Sequence, residues 1–270
     1  VSFEPRSVVV LQGRPIWSNS TPHATLAAHV SSYWSVRLEG RSQTVRSLPD
    51  GCSDVAFDLA SPEPTAYVTG PQQHANTFEV KGRVELFGVR FLPAGAALLL
   101  GTSATNRDLW VPLSKWLGDE AHRLTQAVAR AQDNAARADV LDEVLVQRLA
   151  AGSSDVRLSK AVALVFQSAG TAKIAALAKA AGASERTLNR LFEEHVGLGP
   201  KRFSRVVRFQ HLLRRLDDKP NWSAFSTELG YSDQAHMIRE FKQLFGCTPG
   251  DAVELGHVIR GTRACRFDRD

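Results

Sequence analysis

The chain has 270 residues, 43% of them hydrophobic, and 33 Lys and Arg against 28 Asp and Glu give a formal net charge of +5. That length and apolar content suit two buried cores rather than one, and the longest apolar candidate, AGAALLLG, falls far short of the roughly eighteen residues of a membrane span. Three cysteines, Cys52, Cys247 and Cys265, without a C-x-x-C, point to neither a disulfide framework nor a zinc knuckle.

In chain order, VSFEPRSVVVLQGRP places Glu4 and Pro5 ahead of a short apolar run, which is not the pattern of a signal peptide and predicts a cytoplasmic chain. The first hundred residues then read as strands. VRSLPDGCSDVAFDL predicts strand, Pro-Asp-Gly turn and strand, with Val55, Phe57 and Leu59 alternating against Asp54, Ala56 and Asp58. AYVTGP, TFEV and VELFGVRF follow as short extended pieces, and strands of this length and spacing suggest a small barrel or sandwich. In VELFGVRF, Arg90 falls between Val89 and Phe91 and so points to the opposite face from them.

After Pro93 the period lengthens. AGAALLLG predicts a short helix, and two longer helices are expected at 116–131 and 137–149, with apolar sets Trp116, Leu117, Ala121, Leu124, Val128, Ala131 and Val140, Leu141, Val144, Leu145, Leu149. They either cover the open face of the strand domain or supply a dimer contact. AAGSSD is a small, polar linker before a helical second part beginning near Val156.

That second part contains a repeat. ASERTLNRLFEEHVGLGP, from Ala183, is echoed forty-nine residues later by YSDQAHMIREFKQLFGCTP: Leu188, Arg190, Phe192, Gly197 and Pro200 fall on Met237, Arg239, Phe241, Gly246 and Pro249. Upstream, Ile174, Leu177, Gly182 and Ser184 fall on Trp222, Phe225, Gly230 and Ser232, now one residue closer. Each unit reads as a helix ended by glycine, a tight turn, and a second helix with Ser184 or Ser232 at its N-cap. The extra residue is expected just after the second helix of the second unit begins. This is the helix-turn-helix pattern, whose second helix lies in the major groove with Arg, Asn and Gln suited to base edges. Charge agrees: residues 155–270 hold nineteen Lys and Arg against thirteen Asp and Glu, a net +6, whereas residues 1–154 net −1. PKRFSRVVRFQHLLRRL concentrates Lys201, Arg202, Arg205, Arg208, Arg214 and Arg215 on one helix, some of them expected at phosphates.

The C-terminal hundred residues, ending LGYSDQAHMIREFKQLFGCTPGDA, resemble the AraC/XylS family of bacterial transcription regulators. The resemblance implies an α+β chain: a β-rich, cupin-like N-terminal barrel with flanking helices (1–151), then an all-α DNA-binding domain (155–258) with helix-turn-helix units at about 173–195 and 222–245, joined by a long helix from Gly199 to Leu216. Carried over by position, Arg186, Asn189, Arg190, Gln234, His236 and Arg239 would face bases, and Ser184, Lys201, Arg202, Ser232 and Lys242 would meet phosphates. The N-terminal part, from LPDGCSDVAFDL through VTGPQ and FGVRFLPAGAALLLG to VPLSKWLG, resembles the sensor region of an uncharacterised subgroup. Trp17, Trp34, Tyr67 and Arg90 are the candidates to line an effector pocket there. The implied partners are double-stranded promoter DNA, RNA polymerase, a small-molecule effector and a second copy of the chain, with no membrane and no cofactor.

Three rivals bear on this reading. An enzyme would need catalytic or metal-ligand spacing, yet His23, His29 and His74 stand alone without H-x-H, and neither G-x-S-x-G nor a phosphate loop occurs. No catalytic or metal residue is therefore assigned. A thiol-reactive sensor would use Cys52, placed after a turn where it could be exposed, but Asp50 and Asp54 beside it oppose a reactive thiolate. A protein-interaction module that only borrows the helix-turn-helix fold is the remaining alternative.

Overall fold

The computed structural model describes residues 8–12, 16–38, 43–101, 110–151, 155–216 and 221–254. The linker residues 152–154, the domain end at 255–258 and Cys265 lie outside them. The described strands are β1 (Val8–Gln12), β2 (Ile16–Ser20), β3 (Val30–Leu38), β4 (Gln43–Ser47), β5 (Ser53–Asp58), β6 (Thr65–Thr69), β7 (Asn76–Val80), β8 (Val84–Phe91) and β9 (Trp110–Pro112). They divide between two antiparallel sheets, one ordered β1-β4-β7 and the other β2-β3-β8-β5-β6-β9. The strand–turn–strand expected around Pro49 to Gly51 is present, but β4 and β5 do not pair with each other. β4 pairs with β1 and β7, β5 with β6 and β8, so the turn carries the chain from one sheet to the other.

Alternation gives the six-stranded sheet two distinct faces. Tyr33, Val55, Phe57, Val68, Phe87, Val89 and Phe91 occupy one face and are buried. The helices α1 (Ala97–Leu100), α2 (Ser114–Leu117), α3 (Asp119–Arg130) and α4 (Asn134–Ala151) follow, and Ala121, Leu124, Val128, Leu141 and Leu145 from α3 and α4 join that core. The expected helix at 116–131 is interrupted at Gly118 (φ 52), a backbone conformation that favours glycine. The apolar stripes of α3 and α4 are thus spent on covering the sheet. Tyr33 Oη reinforces the joint by donating to Asp142 Oδ1 (2.6 Å), and burial together with this carboxylate pushes the Tyr33 pKa up.

The rest of the chain is helical: α5 (Val156–Gln167), α6 (Ile174–Ala181), α7 (Glu185–His195), α8 (Pro200–Arg214), α9 (Trp222–Glu228), α10 (Gln234–Phe245) and α11 (Pro249–Glu254). α8 starts with Pro200 at its first turn, where the missing N–H costs nothing. It buries side chains on most of its circumference because it runs between two cores. Phe203, Val206 and Val207 pack with Leu188, Leu191 and Phe192 of α7, while Phe209, Leu212 and Leu213 pack with Met237, Phe241 and Phe245 of α10.

Candidate DNA-binding interface

The two helix pairs are built by the same local rules with one difference in the turn. Gly182 (φ 63) and Gly230 (φ 70) take left-handed conformations at the ends of α6 and α9. Ser184 then caps α7, its Oγ accepting from the Thr187 N–H (3.1 Å). The cap of α10 is Asp233, whose Oδ1 accepts from the His236 N–H (2.6 Å), and not Ser232 as the repeat predicted. The extra residue of the second unit therefore lies in its turn, ahead of the cap. A carboxylate in the first turn also meets the positive end of the helix dipole better than a hydroxyl does. The His236 N–H and the Ser232 hydroxyl hold the Asp233 pKa below its usual value. Ser232 Oγ stands 3.2 Å from His236 Nδ1.

The outer faces of α7 and α10 are polar, as the apolar spacing requires. Arg186, Asn189 and Arg190 are exposed on α7, and Gln234 and Arg239 on α10. His236 is half-buried, its ring edge against Tyr231 at 5.3 Å. Asn189 Nδ2 donates to the Glu185 carbonyl (2.8 Å), and Arg190 pairs with Glu194 one turn on. Ser184, Lys201, Arg202, Ser232 and Lys242 are all exposed. Arg202 lies towards the N-terminal domain, where it lines a cleft of about 270 Å³ with Gln73 and His74.

Two of the basic residues read as a phosphate stripe are engaged inside the domain. Glu240, 6% exposed, accepts from Arg205 Nε (2.8 Å) and Tyr231 Oη (2.9 Å) and lies 3.5 Å from Arg208 Nε. Arg208 also covers the Tyr231 ring at 4.7 Å. This network ties α8 to α10, and burial with the Glu240 carboxylate raises the Tyr231 pKa. It went unread in the sequence, although a signal existed: Glu240 occupies the position at which the first unit has apolar Leu191.

The four effector candidates share the second face of the six-stranded sheet. Trp34, Gly88, Ala56 and Tyr67 pair in one row, Trp17 is two residues along beside Val36, and Arg90 is two along beside Asp54. The indole of Trp34 lies across Gly88, where a Cβ would come within 2.5 Å of Cζ2. Arg90 grips Asp54 through Nε (2.9 Å) and Nη2 (2.7 Å) and Asp50 through Nη1 (2.9 Å), and Trp34 Nε1 donates to Asp54 (2.8 Å). Tyr67 instead packs edge-on against Trp110 at 6.2 Å. Cys52 is 3% exposed rather than open to solvent, its N–H donating to Asp50 Oδ1. Among the described residues no cluster of three His, Cys, Asp or Glu side chains could hold a metal ion, and no helix is long and apolar enough to cross a membrane.

Comparison with known proteins agrees with the repeat. A helix-turn-helix domain family matches residues 177–254. The segment is similar to the HTH-type transcriptional regulator GlxA of Rhizobium meliloti, 41% identical over 76 residues, which cover 28% of this chain and 24% of that protein. The match spans both helix pairs, from within α6 to α11. The helix-turn-helix domain is also similar to that of the HTH-type transcriptional activator RhaS of Escherichia fergusonii, 41% identical over 69 residues covering 24% of each protein. The chain thus aligns with about a quarter of the length of either relative. Ahead of the helix-turn-helix domain, residues 18–107 match a domain of unknown function, DUF6597. Among solved structures, ToxT from Vibrio cholerae O395 aligns over 95% of this chain and 98% of its own at 8% identity, with a TM-score of 0.40.

Proposed function

We propose that the chain is a one-component transcription regulator of the AraC/XylS type, binding promoter DNA through both recognition helices under control of its N-terminal domain. The observation that carries this is the paired exposure of Arg190 and Arg239 at the same position of two separately capped helices on one rigid α8. Two such helices, set into successive major-groove segments, read two half-sites with one chain. Arg186, Asn189 and Gln234 supply further base contacts, with His236 at the edge of the face. Ser184, Lys201, Arg202, Ser232 and Lys242 supply contacts to phosphate. The sheet face holding Trp17, Trp34, Tyr67 and Arg90 is the place for a small effector, and its ligand acts only if it binds the DNA-competent and incompetent arrangements unequally. Bacterial cytoplasm, a homodimer and contact with RNA polymerase complete the reading.

The test is binding of the purified chain to the DNA upstream of its own coding region and to a scrambled duplex of equal length, across a salt series. Preference for the upstream DNA, with affinity falling steeply as salt rises, is expected. Equal, salt-insensitive binding to both duplexes would leave only the protein-interaction alternative.

A further inference from the structure

The turn from Leu48 to Cys52, which crosses between the two sheets, is seated on α8 and touches both halves of the helix-turn-helix domain. Leu48 (2% exposed) is part of the core of the second unit, among Phe209, Leu213 and Phe245. The Pro49 carbonyl accepts from Nε2 of Gln210, a fully buried side chain on α8. Gly51 abuts the core of the first unit: it adopts φ +77, and a Cβ there would come within 2.6 Å of Phe203 Cε2. The adjoining sensor segments also hold the second unit, with the Ala75 N–H donating to the Leu244 carbonyl (2.8 Å) and Arg46 over the Phe245 ring at 5.5 Å. Asp50, at the centre of the turn, is in turn fixed by Arg90 from the far end of β8.

We infer that this turn is a specificity-determining wedge: it sets the pose of one recognition helix relative to the other, and so the half-site spacing the protein accepts, with Asp50 and Arg90 as its positioning residues. The physical reason lies in the two different grips. A helix of fifteen residues such as α8 fixes each unit only through the side chains packed on it, and packed units rock about such a contact by small sliding motions. A wedge with Leu48 in one core and Gly51 against the other removes that freedom. Its own position depends on Arg90, which is shared between Asp50 and Asp54, and Asp54 is shared with Trp34. A ligand that drew Arg90 or Trp34 towards the sheet face would compete for the partner of Asp50 and slacken the wedge.

The inference rests on the DNA-binding reading, and the experiment has two arms so that the two can fail separately. In the first, hydrogen exchange is followed by mass spectrometry on the full chain and on Asp50→Asn, without DNA. Exchange in residues 46–53 and 203–214 is expected to rise by about threefold or more, as for removal of a coupled contact, with α3 and α4 unchanged. Unchanged exchange in both segments overturns the wedge, whatever the protein binds. In the second arm, a duplex is selected from a random pool by the wild-type chain, and a variant duplex carries one extra base pair between the half-sites. Wild type should discriminate against the longer spacing, and Asp50→Asn should lose about threefold or more of that discrimination while binding an isolated half-site equally well. Undiminished discrimination by Asp50→Asn overturns the proposal. Gly51→Ala, which pushes on Phe203, should act in the same direction; Leu48→Ala provides the check should that variant fail to fold. If wild type selects no sequence, the DNA reading falls and the exchange arm alone decides.

Discussion

The two helix-turn-helix units share a backbone plan and differ in what holds them. In the first, the recognition helix packs through an apolar joint, with Leu188, Leu191 and Phe192 against Phe203 and Val207 of α8. In the second, Glu240 replaces the leucine and recruits Arg205, Arg208 and Tyr231 into a buried ionic network, and the sensor domain grips the end of the helix at Leu244 and Phe245. A repeated fold therefore does not imply repeated energetics. The apolar joint tolerates small shifts in direction, whereas the ionic joint has one good geometry, because each partner is costly to leave unpaired. The sensor reaches both units, but its backbone hydrogen bond and cation–ring contact fall on the second.

The largest effect expected from breaking this contrast is at Glu240. Glu240→Ala leaves Arg208 and Tyr231 without their carboxylate and Arg205 with Gln243, and should destabilise the domain by about 3–5 kcal/mol, as for other buried ion pairs stripped of one partner, read from the urea midpoint. Leu191→Ala, at the matching position, should cost about 2–5 kcal/mol from a cavity alone. Glu240→Leu, which gives the second unit the side chain of the first, should still destabilise, since the stranded cations remain. If it stabilises the protein, the contrast between the joints is wrong.

Next in size come the matched arginines. Arg190→Ala and Arg239→Ala should each weaken binding to the selected duplex by about 1–3 kcal/mol, localised to one base pair, and leave random duplex binding unchanged. Because Arg190 must first leave Glu194, its loss should be the smaller by roughly 0.3–0.5 kcal/mol, the worth of an exposed pair one helical turn apart. An equal loss on random DNA would assign the side chain to phosphate.

Smaller still are the effects of the caps and of pH. Ser184→Ala should cost about 1 kcal/mol without pH dependence. The Asp233 cap has a folded pKa below its usual 3.8. Its stabilisation is present above that value and lost as pH falls through the lower folded one, which the amide proton shift of His236 should report. His211 on α8 adds a second slope. Burial, then Arg214 and Arg215, push its pKa from 6.5 down to about 4, against the opposing pull of Glu228. The unfolded chain takes up this proton first, so stability should decline as pH falls from 6.5 towards about 4 and then level. His211→Gln should flatten that stretch of a stability-against-pH curve.

The comparison also shows where sequence reading reached. The helix pairs were legible because everything that defines them is local: glycine at a left-handed helix end, a capping side chain, and apolar residues at three-to-four spacing. The same local rules fixed which face of β8 Arg90 points from and which faces of α7 and α10 stay polar. They misplaced the cap of α10 by one residue, since Ser232 and Asp233 are both good caps and only the backbone decides between them. They also counted Arg205 and Arg208 as surface charge, since nothing on α8 itself announces a carboxylate thirty-five residues away at Glu240.

By itself, then, the sequence determined the helix pairs of the second part, the duplicated motif and the polar faces, all of which depend on neighbours within a few residues. The tertiary structure alone decided that α3 and α4 spend their apolar stripes on the sheet, that β4 and β5 part to different sheets, and that the turn between them wedges against α8. Those outcomes rest on contacts such as Pro49 with Gln210, 161 residues apart. At the turn the energy comes from burying Leu48, with the hydrogen bond to Pro49 offsetting the cost of burying the Gln210 amide, and no periodicity along the chain records which distant surface will bury them.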